Sequence, residues 1–249
     1  MLLPRIIPCL LIHKGGVVKT HKFGSPRYIG DPLNTVRIFN EKKVDEIMVL
    51  DIDCSLENSL PDINLIENIA AECQMPLCYG GGIKNIETAQ NIFQLGVEKI
   101  SLSSVIFENT SLISSLAKTV GSQSVVVTLD IRKNIFGKRK IYIQNGKSSV
   151  DLELEECLKI IQNEGAGEIV LNNIDLDGTM QGYDLELITY LKEKISIPLT
   201  VIGGAGCADD FKNVIKHYPI IGLAAGSFFV YQGKYKAVLI SYQKEKILE

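Results

Sequence analysis

Long apolar runs are missing from this chain of 249 residues. A helix that crosses a bilayer takes about 20 consecutive apolar residues. No stretch approaches that length, so neither a membrane span nor a membrane partner is expected. The apolar run 6–12 carries Pro8 and is followed by no small-residue cleavage site, so the start of the chain does not read as a signal peptide. Paired cysteine spacing is missing as well. The six cysteines stand at 9, 54, 73, 78, 157 and 207. None forms C-x-x-C, which argues against a zinc site, and neither metal nor cofactor is expected. Most fall in or beside apolar segments and read as buried thiols of a reducing compartment, so a cytoplasmic location is expected. Excess charge is the third absence. A net charge of −3 does not suit a general nucleic-acid binder. Two basic clusters, residues 19–27 and 132–140, read as solvated loops. Beside anion-binding glycines they would also steer an anionic substrate.

What is present is glycine at the ends of short apolar runs. Tyr79-Gly80-Gly81-Gly82-Ile83 precedes an amphipathic segment, and Val201-Ile202-Gly203-Gly204-Ala205-Gly206 repeats the device with an offset of 123 between the glycine pairs. Glycines at a strand end let backbone N–H groups approach an anion closely. The echo extends further. Residues 44–53 resemble 166–175, residues 96–104 resemble 219–227, and residues 6–12 match 125–131. The chain therefore reads as two half-barrels, about 1–120 and 121–249.

Eight strand-like segments are expected at 5–12, 46–51, 76–79, 98–102, 124–130, 168–172, 198–202 and 219–224. They are rich in Val, Ile and Leu without strict alternation, as in a parallel sheet buried on both faces. Helix-like segments lie between them, the first opened by Asp31-Pro32 and the last near 234–246. Eight units in alternation predict a single (β/α)₈ barrel spanning 1–249, with a doubly wound open sheet as the alternative. Two inserts, a loop at 14–30 and a hairpin-like stretch at 135–149, follow strand C-termini, the face where such barrels carry their sites.

End to end, the chain resembles the cyclase subunit of imidazole glycerol phosphate synthase. The stretches that carry the resemblance are Arg5-Ile-Ile-Pro-Cys-Leu, Val17-Val-Lys19, Gly30-Asp-Pro32, Tyr79-Gly-Gly-Gly-Ile83, Gly121-Ser-Gln123, Asp175-x-Asp177-Gly-Thr179, Gly182-Tyr-Asp-Leu185 and Gly203-Gly-Ala-Gly206. The resemblance implies a barrel with a glutaminase subunit docked on its N-terminal face. It implies ammonia passing through the barrel core to a substrate with two phosphates. It places phosphate on Asp177, Gly178, Gly204, Gly206, Ala225, Gly226 and Ser227 in the second half, with glycine at 226 where the family has serine. In the first half it points to Gly82, Ser103 and Ser104, the two serines replacing the family's Asn-Thr. It makes Arg5, Glu46, Lys99 and Glu168 a charged gate for ammonia. Asp130 and Lys19 match catalytic positions.

One family position is broken. The strand-1 partner of the Asp130 carboxylate is Leu11, and the internal repeat aligns the same two positions independently. Two opposed carboxylates divide acid and base work, and leucine does neither. His13, two residues on, is a possible substitute, although a loop histidine is more often a surface residue. Three functions follow as expectations. One is a cyclase. A second is a paralogue that couples ammonia to amidated or amidinated surface-sugar synthesis, with a sugar amidotransferase as a further partner. A third is a stand-alone phosphosugar isomerase, which Leu11 also disfavours. Leu11 and Ser103 fit the second reading best.

Overall fold

The computed structural model describes residues 3–249. The eight expected strands are all present: β1 Arg5–His13, β2 Ile47–Asp51, β3 Leu77–Gly80, β4 Lys99–Leu102, β5 Val125–Lys133, β6 Glu168–Asn173, β7 Leu199–Ile202 and β8 Gly222–Ala225. Each pairs in parallel with the next, and β8 returns to β1 with Arg5 opposite Gly222 and Ile7 opposite Ala224. The sheet is closed and the open-sheet alternative is excluded. The molecule is a single (β/α)₈ barrel.

Parity sorts the side chains. Ile6, Leu10 and Ile12 of β1 face outward into a large apolar layer shared with the helices. Ile7, Cys9, Met48, Cys78, Val126, Val170 and Ala224 face inward and form a second, smaller apolar cluster inside the barrel. Helices begin where short polar side chains catch free N–H groups. Asp31 accepts from Asn34 N at 2.9 Å ahead of helix Pro32–Glu41, and Asp62 accepts from Leu65 N at 3.0 Å ahead of helix Ile63–Glu72.

Three expectations need correction. The insert at 14–30 is not a loop but an antiparallel hairpin, Gly16–His21 with Gly24–Gly30, paired back onto β1 through Leu11 and Val18. The apolar Val17 and Val18 are buried and hold it there. The last helix is only Lys244–Leu248, because residues 231–238 turn through Gly233 into a small hairpin. The cysteines are not uniformly buried: Cys9, Cys54, Cys78 and Cys157 are, whereas Cys73 is half-buried and Cys207 exposed. The hairpin expected within 135–149 is present, built from β5, Arg139–Ile143 and Ser148–Ser149.

Candidate functional site

A cavity of about 330 Å³ opens at the C-terminal end of the strands. Its walls follow from register. Leu11 lies beside Leu50 on β1 and β2, while Asp130 lies beside Asn172 on β5 and β6. Two strands stand between the two pairs on either side of the eight-stranded barrel, so an apolar wall faces a polar one. Below the polar wall, Ser101 and Thr128 share a buried hydrogen bond of 2.6 Å.

Asp130 sits at this mouth and makes no ion pair among the described residues. Burial pushes its carboxyl up to about 7, with Asp177 adding to the rise and a 3.0 Å hydrogen bond from Asn172 Nδ2 opposing it. Such a group exchanges protons near neutral pH. Lys19 is buried, and its Nζ donates to the Cys9 carbonyl at 2.5 Å. Burial lowers its pKa. The lysine fills the space that a side chain at 226 would need, since a Cβ on Gly226 would run into its ammonium. His13 does not line the cavity. Its Nδ1 pairs with Asp53 at 2.6 Å, so it does not replace the carboxylate missing at Leu11.

Of the expected phosphate residues, Gly82, Ser103, Ser104, Asp177, Gly178, Gly204, Ala225, Gly226 and Ser227 line the cavity, and Gly206 does not. The Gly206 N–H is taken by Asp210 at 2.8 Å, in the cap of helix Ala208–His217. After the first glycine run, Asn85 accepts from Thr88 N at 2.8 Å and takes up a free donor of helix Ile86–Gln94. The Asp177 carboxylate accepts from Thr20 Oγ1 at 2.7 Å and from Phe23 N at 3.1 Å, which docks the first hairpin over the second-half glycines. The other hairpin reaches across as well: Asn145 Nδ2 donates to Ile52 O at 2.6 Å, and Gln144 N to Ser104 Oγ at 3.3 Å. The two turns roof the cavity.

The two basic clusters part company: Lys19 of the first lines the cavity, and the second lies in partly to fully exposed positions away from it. None of residues 132–140 lines the cavity. Lys138 pairs with Glu153 at 2.7 Å, Arg139 with Glu186 at 3.2 Å and Lys140 with Asp151 at 3.5 Å. The lining holds Lys19 and Lys84 against Asp51, Glu108, Asp130 and Asp177, so any anion would rest on backbone N–H groups rather than on side-chain charge. Among the described residues no group of His, Cys, Asp and Glu is arranged to hold a metal ion.

At the opposite end Arg5, Glu46, Lys99 and Glu168 close a ring across the barrel floor. Arg5 Nη1 meets Glu46 and Arg5 Nη2 meets Glu168, each at 2.6 Å. Lys99 Nζ meets Glu46 at 2.9 Å and Glu168 at 3.0 Å. Thr200 Oγ1 donates to Glu168 at 2.5 Å and accepts from Arg5 at 3.0 Å. Burial opposes ionisation of Glu168, but Arg5 and Lys99 outweigh it and hold its carboxyl below the usual range.

Sequence comparison supplies the lineage. A profile described as "Histidine biosynthesis protein" matches residues 5–236. A Vibrio vulnificus protein provisionally named imidazole glycerol phosphate synthase subunit hisF3 is 53% identical over 100% of this chain and 98% of its own length. A Leptospira interrogans protein, provisionally named as a HisF subunit of the same synthase, is 54% identical over 97% and 96%. The imidazole glycerol phosphate synthase subunit HisF of Alkaliphilus metalliredigens is 35% identical over 93% and 92%. On the profile match and on this identity along nearly the whole chain, the protein belongs to the histidine biosynthesis family, in its HisF branch.

Proposed function

We propose that this barrel receives ammonia from a glutaminase on its N-terminal face and passes it to the C-terminal cavity, while closing an imidazole ring slowly or not at all. The observation that carries the reading is the divided mouth, with Leu11 and Leu50 facing Asp130 and Asn172. Ring closure calls for two opposed proton-transfer groups, and losing one typically costs ~10²–10⁴-fold in rate. The floor ring supports delivery, because its four charges are placed where a small neutral molecule would enter. The nitrogen is then used in making amidated or amidinated surface sugars, by way of a sugar amidotransferase. A phosphorylated substrate rests on Gly82, Ser103 and Ser104 at one side and on Gly178, Gly204, Ala225, Gly226 and Ser227 at the other. Two bands of relatives support a separate branch: provisionally named proteins at 45–54% identity, and HisF subunits at 35–36%.

A second reading, an ordinary cyclase of histidine biosynthesis, draws on Asp130 with its near-neutral carboxyl and on Lys19 in the lining of the same cavity. Cyclisation measured with saturating ammonium, which bypasses any glutaminase, separates the two. The first reading expects a rate at least about 10²-fold below that of an ordinary cyclase. An equal rate sinks it and supports the second.

A further inference from the structure

The polar wall of the mouth holds an acceptor that nothing in the fold uses. Asn172 is only 8% exposed. Its Nδ2 donates to Asp130 Oδ1 at 3.0 Å, while its Oδ1 is buried with no hydrogen-bond partner among the described residues. With Asp130 ionised the amide orientation follows from its neighbour, since the reverse would set a carbonyl oxygen against a carboxylate. A buried acceptor is rarely left unmatched, and one that is asks what donor it awaits.

The surroundings narrow the answer. Asn172, Asp130, Thr128 and Ser101 all line the cavity. Gly203 leaves one flank open, since a Cβ there would lie 3.5 Å from Asn172 Oδ1. Leu11, Leu50 and Ile202 offer no donor. Lys19 is committed to the Cys9 carbonyl, and Asp177 to Thr20 and Phe23. What fits against Asn172 Oδ1 and Asp130 is small, rich in N–H donors and compatible with a neighbouring negative charge.

We propose that Asn172 and Asp130 form a receiving site for ammonia and ammonium at the upper end of the barrel interior, with Asn172 as its positioning residue. Ammonium donates to Asn172 Oδ1 and to the Asp130 carboxylate at once. Neutral ammonia donates to Asn172 Oδ1 and accepts from Asp130 when that carboxyl is protonated. The proposal rests on the reading that ammonia reaches this mouth, and it names the side chains that hold the ammonia there.

Potassium makes the test specific, because it matches ammonium in charge and closely in size but donates no hydrogen bond. The titration of Asp130, followed by NMR of its ¹³C-labelled carboxyl carbon, is compared in ammonium chloride and in equal potassium chloride. The other titratable groups of the lining, Lys19, Lys84, Asp51, Glu108 and Asp177 with the thiols Cys9 and Cys54, are common to both salts. Ammonium should lower the Asp130 midpoint by about 0.5 unit or more relative to potassium, since a donor held against the carboxylate favours its ionised form. In Asn172→Leu the difference between the salts should vanish, and if that variant unfolds, Asn172→Ala carries the same comparison. Equal midpoints in the unmodified chain overturn the proposal, as does a difference that survives loss of the amide. No glutaminase and no nitrogen acceptor take part, so failure here leaves the proposed function to its own turnover assay.

Discussion

Asp130 is the residue whose environment says most about what the chain gives up for its site. Burial lifts its carboxyl from 3.8 to about 7. A carboxyl raised in this way stabilises the fold fully below its unfolded value, and that contribution is lost as pH rises through the folded value. An ionised Asp130 therefore burdens the fold at pH 8. Asp130→Asn should raise Tm by roughly 3–6 °C at pH 8, given about 2–4 °C per kcal/mol for a chain of this size. The gain should shrink as pH falls below 7 and disappear near pH 4, which thermal melts across that range will show. Leu11 was legible in the sequence because the internal repeat set it against Asp130. Asn172 was not. It stands next to last in β6, after Glu168, Ile169, Val170 and Leu171, and only its position beside the Asp130 carboxylate marks it. The paired Asn172-Asn173 at the close of an apolar strand was the available signal.

At the level of elements, the rim of the cavity depends on close backbone approaches that exclude side chains. Gly204 has φ +107°, and its carbonyl accepts from Gly182 N at 2.9 Å. A Cβ at Gly204 would run into the Gly182 carbonyl. Gly204→Ala combines a strained φ with that clash, and should cost roughly 2–4 kcal/mol. A fall of at least 4 °C in Tm is expected, and an unchanged melt would mean that the two loops do not meet as described. Gly178 and Gly204 were read from the sequence as parts of an anion cradle. What the fold shows at both is a close loop contact, at Gly178 one in which a Cβ would meet the Thr20 carbonyl of the first hairpin. Spacing alone does not separate these roles, since close approach requires glycine in both. The first hairpin was missed for a related reason. Its only strand signal is the short apolar pair Val17-Val18, and pairing with Leu11 and Ile12 supplies the rest.

For the whole molecule, the eightfold rhythm of apolar segments was enough to give the barrel, because parallel strands covered by helices leave a continuous apolar imprint. The N-terminal floor was legible only through family positions, as isolated charges at strand starts usually mark a solvated rim. In the fold those charges are close neighbours, and the Glu46 and Glu168 side chains are each 6% exposed. Removing one partner of a buried charge network costs about 3–5 kcal/mol, so Glu168→Gln should lower Tm by roughly 6 °C or more at pH 7. Arg5 and Lys99 hold the Glu168 carboxyl below its ordinary value, so its stabilisation is present above that value and is lost as pH falls through the folded one. The deficit of the variant should therefore narrow below about pH 4. The central claim, an intact floor beneath a mouth that has lost half of its proton-transfer pair, is tested most directly by a ratio of two rates. Cyclisation at saturating ammonium is measured for Leu11→Asp and for the unmodified chain. The account predicts a slow unmodified chain and a ratio of about 10 or more, as a second carboxylate returns opposite Asp130. A ratio at or below one, with the unmodified chain as fast as an ordinary cyclase, would contradict it.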